Sequence, residues 1–235
     1  MCVGDIMKKI ALITGVSKGL GSVLARNLSS IGYDIIGTYN TDLDGVLKLG
    51  NIDYYKLDLN STESTNKFIS DIKNKYNHID LLINNAALSL DNDFSSKTKD
   101  EFMKVLEANL VGPFLLIQGL HSIMENGVII NISSTDGINT YSSINIDYSA
   151  SKAGLINLTK SLSLVLDKIR IYAICPNWMN TETIQSMNQD YLRSEMERIN
   201  QKELIDPIVI FNKVVKLMNS NEKSGSIIVV EDNNE

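Results

Sequence analysis

The chain has few of the residues on which disulfide frameworks and metal sites depend. Among 235 residues there are two cysteines, Cys2 and Cys175, and two histidines, His78 and His121, all far apart in the sequence. This spacing predicts neither a disulfide framework nor a metal site, and it indicates a reducing, cytoplasmic environment. No apolar run reaches the roughly 18 residues of a membrane span, and residues 1–6 are too short and too acidic for a signal peptide.

Positive charge is also scarce, because 22 Lys and Arg residues face 28 Asp and Glu residues, for a net charge of -6. We therefore expect no general binding to nucleic acid. The hydrophobic fraction is 43% and the chain is long enough to bury a substantial core, as α/β folds of this size commonly do in one domain. We expect a disordered N-terminal extension over residues 1–7 and a single domain over residues 8–235.

Short runs rich in Ile, Val and Leu alternate with segments of helical spacing along the chain. Strands are predicted at 9–14, 33–38, 52–57, 79–83, 127–132, 169–174 and 226–230. Helices are predicted at 20–31, 62–76, 102–124 (as one long or two abutting helices), 148–166 and 207–218. Apolar strands separated by helices are typical of a parallel sheet covered on both faces, so the pattern predicts a doubly wound α/β domain of about seven parallel strands.

A glycine-rich turn follows the first predicted strand and reads Thr14-Gly15-Val16-Ser17-Lys18-Gly19-Leu20-Gly21. Glycines allow a tight turn and a close backbone approach, and the following helix points its N-terminus at an anion such as pyrophosphate. The spacing is Gly-x-x-x-Gly-x-Gly, which differs from the common dinucleotide fingerprint. An ordinary strand-to-helix turn needs one glycine but not three, so a phosphate-binding turn is favoured.

A tyrosine and a lysine stand one helical turn apart in Tyr148-Ser149-Ala150-Ser151-Lys152, at the start of the helix predicted from residue 148. They share a helix face, and a nearby ammonium lowers the pKa of a phenol from its ordinary value near 10. The pair therefore suits proton transfer. The spacing alone is common, however, and a ring packed on a solvated lysine stem is the alternative.

Five motifs occur in the order and approximate spacing of the short-chain dehydrogenase/reductase family, which the chain resembles over residues 8–230. They are the glycine turn, Asn84-Asn85-Ala86, Asn109, Ser134 and Tyr148-x-x-x-Lys152. The chain is most similar to the shorter, single-domain branch that includes the 3-oxoacyl-carrier-protein reductases. The resemblance implies a Rossmann-like fold and an oxidoreductase that transfers a hydride between a nicotinamide cofactor and a carbonyl or secondary alcohol.

The resemblance also implies four catalytic residues. Tyr148 would be the general acid/base, Lys152 would lower the pKa of Tyr148 and bind the nicotinamide ribose, and Ser134 would hold the substrate oxygen. Asn109 would bend its helix and anchor a water relay toward Lys152, although alone it could be any mid-helix asparagine. Ser133 competes with Ser134, but Ser134 has the family's Ser-x-x-Gly spacing and Ser133 would face the other side of the strand.

A larger set would bind the cofactor: Gly15, Ser17, Lys18, Gly19, Leu20, Gly21, Thr38, Asp58, Leu59, Asn85, Ala86, Tyr148, Lys152, Pro176 and Thr181. Asn85 could equally belong to a structural turn. An acidic residue at the end of the second strand would repel a 2′-phosphate, and none stands at residues 37–40. Lys18 lies where NADP-preferring relatives carry a basic residue, so NADP(H) is favoured over NAD(H), with a solvated lysine as the alternative.

Four departures from the family pattern affect the surroundings of this predicted site. Ala87 and Asn177 replace glycines, the interval from Ser134 to Tyr148 is one residue longer, and the tail 230–235 lacks the usual Asp-Gly-Gly. Asparagine tolerates the left-handed backbone that the lost glycine would allow. Residues 178–204 would form a lid, whose apolar residues suit either a medium-sized aliphatic substrate or packing on the body.

The expected partner is a small carbonyl or alcohol substrate, with 3-oxoacyl thioesters as one candidate class. The resemblance implies a homodimer or a homotetramer; we expect no nucleic-acid and no membrane partner and no metal. Two alternatives stay open. One is an NAD-dependent sugar or polyol dehydrogenase, and the other is a catalytically silent, cofactor-binding regulatory protein.

Overall fold

The computed structural model describes residues 8–50 and 52–233. The expected disorder of residues 1–7 lies outside this part of the chain. Seven strands form one parallel sheet in the order β3-β2-β1-β4-β5-β6-β7. They are β1 (Lys9–Ile13), β2 (Tyr33–Tyr39), β3 (Asp53–Lys56), β4 (Leu81–Asn84), β5 (Val128–Ile132), β6 (Arg170–Pro176) and β7 (Ile227–Val230).

Helices connect the strands. They are α1 (Gly19–Ser30), α2 (Leu43–Leu47), α3 (Thr62–Lys75), α4 (Lys99–Leu106), α5 (Gly112–Leu120), α6 (Ile146–Leu162), α7 (Glu182–Gln185), α8 (Gln189–Arg198) and α9 (Pro207–Asn219). The predicted helices are confirmed with shifted ends, and the region 102–124 divides into α4 and α5. The sequence pattern missed α2, α7 and α8, because two of them are a single turn long and α8 buries one side chain, Leu192.

Each strand sends alternate side chains to the two faces of the sheet. In β1, Ala11 and Ile13 join the core under α1 and α9, whereas Ile10 and Leu12 join the core under α3 and α5. Both faces are therefore covered, which explains why the strands read as continuous apolar runs. The predicted doubly wound, Rossmann-like fold is confirmed.

The order of the strands reverses between β1 and β4, which are neighbours in the sheet although β2 and β3 lie between them in the chain. In open α/β sheets such a switch leaves a crevice beyond the carboxyl ends of the strands, where ligands bind. The glycine turn after β1 and the residues that follow β4, β5 and β6 all lie at this edge.

The helical run Lys99–Ile123 is long and apolar enough to cross a membrane by length and composition alone. Polar residues interrupt it, so it contains no continuous apolar run of that length. Within the structure 44% of its most apolar window is buried, and Leu116, Ile117 and Leu120 pack in the core beside α3. A core helix passes the same test, so this run carries no conclusion about a membrane.

Candidate active site

The glycine turn needs its glycines for two separate physical reasons. Gly15 and Gly19 have left-handed backbones, with φ of 71° and 56°. At Gly21 an added Cβ would lie 2.0 Å from the carbonyl oxygen of Gly15 and 2.6 Å from the side-chain amide of Asn85. A side chain at any of these positions would strain the turn or push it open.

Three side chains of the protein hold this turn in place. The Asn85 amide donates to the carbonyl oxygens of Thr14 (2.9 Å) and Gly15 (3.1 Å). The Thr14 hydroxyl accepts hydrogen bonds from the backbone N–H groups of Asn85 and Ala86, both at 3.0 Å, and the Thr38 hydroxyl accepts one from the Gly15 N–H at 3.2 Å. The side chains of Asn85 and Thr38 thus form hydrogen bonds within the protein. For Asn85 this agrees with the alternative that it belongs to a structural turn.

Four further residues predicted to bind the cofactor lie in or beside the glycine turn. Lys18 is exposed at the N-cap of α1, and Thr181 lies 3.7 Å from the place that a Cβ on Gly19 would take. The backbone of Ser17 packs against α2, and Leu20 is buried in the core under α1.

Asp58, Leu59 and Pro176 follow or end other strands at the same edge of the sheet. Asp58 accepts a hydrogen bond from the Asn60 N–H at 3.0 Å, and Leu59 packs against Gly112 at the start of α5. Pro176 ends β6 beside Val230 of β7.

Tyr148, Ser134 and Lys152 come together at the ends of β5 and α6. The Ser134 side chain hydrogen-bonds the Tyr148 phenol, and the Lys152 ammonium lies 5.3 Å from the centre of the phenol ring. Lys152 is only 2% exposed, and its Nζ donates to the carbonyl oxygen of Ile132 at 2.8 Å. The expected shared face of Tyr148 and Lys152 is therefore present.

The expected effect of Lys152 on the acidity of Tyr148 is not what the structure shows. Burial raises the pKa of Tyr148 above its ordinary value, the carboxylate of Asp136 raises it further, and the hydrogen bond with Ser134 lowers it. Burial also lowers the pKa of Lys152 to about 8. We predicted a lowered phenol pKa because the sequence shows the ammonium but does not show how much water is lost around both groups.

Ser133 and Ser134 have different environments, as predicted. The Ser133 hydroxyl is buried and donates to the carbonyl oxygen of Lys152 at 2.9 Å, so it fastens β5 to α6. The Ser134 hydroxyl caps the turn Thr135–Gly137. At Gly137 an added Cβ would lie 2.6 Å from the Ala153 backbone nitrogen. A glycine at this position therefore allows the turn to pack closely against α6.

Asn109 lies in a π-helical segment, Glu107–Val111, which separates α4 from α5. Its side chain is 1% exposed and pairs with both backbone polar groups of Leu88, accepting from the N–H at 2.7 Å and donating to the carbonyl oxygen at 2.8 Å. It also donates to the Ser151 hydroxyl at 3.1 Å. The local deformation of the helix is thus present, and the water relay stays a prediction.

Asn177, which replaces a family glycine, does not have a left-handed backbone. Its side-chain oxygen accepts a hydrogen bond from the Thr135 hydroxyl, and its N–H bonds the Val230 carbonyl oxygen at 3.0 Å. The Thr140 hydroxyl bonds Thr135 at 3.1 Å and the Asp136 carboxylate at 2.6 Å. The lengthened loop after Ser134 is thus tied to the end of β6.

Sequence reasoning did not predict three interactions here, because no local spacing signals them. Asp136 shifts the acidity of Tyr148, and Arg198 of α8 donates to the carbonyl oxygen of Thr140 while it pairs with Glu195 at 2.7 Å. A third is the buried ion pair of Lys97 with Asp147, whose partners are 50 positions apart. Knowledge of which loops meet is needed to find any of them.

The predicted lid segment has a closed base. Gln201 bonds both backbone polar groups of Trp178, at 3.1 and 2.8 Å, and Met179 forms a parallel bridge with Ile205. Between them lie α7 and α8, and α8 meets the loop after Ser134 through the hydrogen bond from Arg198 to Thr140. A polar cleft of about 860 Å³ lies between α8, the loop after Ser134 and Asn177.

No group of three or more His, Cys, Asp or Glu side chains is placed to hold a metal ion within residues 8–50 and 52–233. Cys175 is a free, buried thiol at the end of β6, and its pKa is raised by burial to about 11. The same edge of the sheet carries dipoles and proton donors, namely backbone N–H groups, Ser134 and Tyr148.

A parallel sheet with a glycine turn at its switch point defines a Rossmann-fold protein of the nucleotide-binding class. The chain belongs to the short chain dehydrogenase family, whose model matches residues 9–192. This match includes the glycine turn and the Tyr148–Lys152 helix.

Individual relatives cover most of the chain. It is 34% identical over 222 residues to a 3-oxoacyl-(acyl-carrier-protein) reductase of Buchnera aphidicola, covering 88% of this chain and 90% of that protein. It is 31% identical over 219 residues to an acetoacetyl-CoA reductase of Shinella zoogloeoides, covering 87% and 90%. Among solved structures, the NADP complex of Pseudomonas aeruginosa RhlG is similar in fold, with a TM-score of 0.86, 23% identity and coverage of 96% and 95%.

Proposed function

We propose that the protein is an NADP(H)-dependent ketoreductase that reduces the carbonyl of a 3-oxoacyl thioester to a secondary alcohol. The observation that carries the proposal is the joint placement of Ser134, Tyr148 and Lys152 at the switch edge of the sheet. The names of the two sequence relatives, an acetoacetyl-CoA reductase and a 3-oxoacyl-(acyl-carrier-protein) reductase, support the thioester class.

The residues at the glycine turn fit a dinucleotide. Gly19 leaves the N-terminal end of α1 open, and the backbone N–H groups there are suited to a pyrophosphate. Thr181 lies on the same side, where it would hold the nicotinamide end. The exposed Lys18 and the lack of a carboxylate at residues 37–40 favour a 2′-phosphate, and the NADP complex of RhlG supports the same choice.

The cofactor supplies a hydride to the carbonyl carbon when it is bound. Tyr148 then gives its proton to the carbonyl oxygen, and Ser134 donates a hydrogen bond to that oxygen. A phenol is protonated at neutral pH even at its ordinary pKa near 10, so Tyr148 has a proton to give. Lys152 would hold the nicotinamide ribose, and it would replace the proton of Tyr148 through the predicted relay at Asn109.

The remaining expectations belong to the same proposal. The protein is one domain over residues 8–235, with a lid over residues 178–204, and it works as a homodimer or homotetramer in the cytoplasm. We expect it to have no nucleic-acid, membrane or metal partner. The closed base of the lid supports movement of α7 and α8 as one unit.

The test is a screen of NADPH and NADH oxidation with acetoacetyl-CoA, simple ketones and sugar-derived carbonyls. We expect turnover of the thioester with NADPH, and a fall in kcat of about 100-fold or more in Tyr148→Phe with NADPH binding retained. Preference for NADH with a sugar or polyol would favour the second enzyme class. Cofactor binding without turnover of any substrate would favour a regulatory protein.

A further inference from the structure

A buried ion pair lies directly before Tyr148 in the structure. The side chains of Lys97 and Asp147 are 3% and 0% exposed, and Lys97 Nζ is 3.0 Å from Asp147 Oδ2. The other carboxylate oxygen of Asp147 accepts a hydrogen bond from the Tyr148 backbone N–H at 3.0 Å. One carboxylate thus connects Lys97 to the backbone of the proposed acid.

The other end of the pair is tied to the segment that follows β4, residues 85–98. The Lys97 ammonium also donates to the carbonyl oxygen of Leu90. The same segment is held at Leu88 by Asn109, and its Asn92 N–H bonds the carbonyl oxygen of Ile144 at 3.3 Å. This segment is therefore fixed to the π-helical turn at one end and to the start of α6 at the other.

We propose that Lys97 and Asp147 are a positioning pair, which fixes the start of α6 so that the Tyr148 phenol meets Ser134 and the substrate oxygen. The inference rests on the proposed function. Two opposite charges without water hold their partners in one geometry, because any movement leaves a charge unpaired. Misplacement of a reacting group by about 1 Å is enough to slow a reaction about 100-fold.

The pair acts through position and not through its charge. Burial and then the charge of Asp136 raise the pKa of Tyr148, and the opposite charges of Lys97 and Asp147 cancel at a distance. Loss of the pair should therefore lower kcat and leave the shape of the pH profile unchanged. If the pair only stabilised the fold, kcat would be unchanged at every temperature at which the variant is folded.

The experiment compares Lys97→Met, Asp147→Asn, the double variant and the conservative Lys97→Arg. Lys67→Met is the matched control, because Lys67 pairs with Asp71 at 2.6 Å on the exposed surface of α3. Circular dichroism establishes the temperature range in which each variant is folded. The measurements are kcat, the KM for NADPH, the pH profile with acetoacetyl-CoA, and the unfolding temperature.

Each single variant leaves one buried charge unpaired, and the double variant leaves none. We expect the double variant to unfold at a higher temperature than either single variant but to keep a kcat at least about 10-fold below wild type, with an unchanged KM for NADPH. Lys97→Arg should retain most of kcat, and the control should match wild type.

A double variant with the kcat of wild type would overturn the inference, even if both single variants fail to fold. A shifted pH profile in the double variant, where neither charge remains, would also overturn it, because the pair would then act through its charge. Absence of turnover in the wild-type protein would instead count against the proposed function, so the two failures are distinguishable.

Discussion

Gly21→Ala tests how closely the glycine turn is packed. The added Cβ would lie 2.0 Å from the Gly15 carbonyl oxygen, and real contacts of this kind are not shorter than 3.0 Å. The turn or α1 must therefore move by at least 1.0 Å. Overpacking of this kind costs about 1–3 kcal/mol of the free energy of unfolding, and each kcal/mol lowers Tm by roughly 2–4 °C in a chain of this size.

The same movement displaces the backbone N–H groups that we expect to bind the pyrophosphate. A displacement of about 1 Å is expected to lower kcat/KM for NADPH about 100-fold. The assay measures NADPH oxidation at a saturating concentration of acetoacetyl-CoA while NADPH is varied, together with thermal unfolding.

Gly32→Ala is the matched control. Gly32 has a φ of 97° and no heavy atom within 4 Å of the added Cβ, so the substitution costs roughly 1–2 kcal/mol of backbone strain but touches nothing. The two variants should lose similar stability, and Gly21→Ala alone should lose its use of NADPH. Wild-type kcat/KM for NADPH in Gly21→Ala, or an equal loss in Gly32→Ala, would refute the reasoning.

Three further substitutions address the charges of the site. Lys152→Met should be inactive yet raise the free energy of unfolding at pH 7 by about 1–2 kcal/mol, after the lost hydrogen bond is deducted. The pKa of Lys152 is about 8 in the folded protein and 10.5 ordinarily. Between these pH values the folded state loses the proton and the unfolded state keeps it, so the wild-type protein becomes more stable as pH rises. The stability advantage of Lys152→Met must therefore shrink over this pH range. Denaturant titrations at pH 7 and at higher pH measure this difference, and an advantage that does not change with pH would contradict the assigned burial penalty. Asp136→Asn should lower the pKa of Tyr148, so that more of its phenolate forms at a fixed alkaline pH than in wild type. The ultraviolet absorption difference between each protein and its Tyr148→Phe variant measures this phenolate, and an unchanged difference would mean that the carboxylate does not act on the phenol. Lys18→Ala should reduce the ratio of NADPH to NADH specificity about 10-fold, and an unchanged ratio would remove Lys18 from 2′-phosphate recognition.

The fold was predictable because its strands are buried on both faces. Side chains such as Ile10 and Ile13 face opposite layers and are both apolar, which makes each central strand a continuous run. The short helices α2 and α7 gave no such signal, because a single turn is too short to show a periodic pattern. Helix α6 was predicted over 148–166 and runs over Ile146–Leu162. Its ends depend on backbone hydrogen bonds, which the pattern of apolar residues does not show.

The parts of the candidate site that could be predicted depend on residues close in sequence or on motifs of the family. Tyr148 and Lys152 share a face because they are four residues apart, and Ser133 and Ser134 differ because strand side chains alternate. The pairs Lys97–Asp147 and Thr140–Arg198 join residues 50 and 58 positions apart, through loops whose paths no periodicity describes. The direction of the Tyr148 pKa depends on burial, which exists only after the chain has folded.

The predicted lid segment, residues 178–204, has ends that meet, so the residues between these ends form a unit that can be exchanged. The two ends meet at Trp178 and Gln201 and again at Met179 and Ile205, so a different insert would begin and finish at the same points in space. Sheet register, glycine turn and Tyr148 would be unaffected by its length or composition. On the proposed function, exchange of residues 182–200 between relatives would change the selectivity for substrate size while Thr181 stays in place beside the glycine turn.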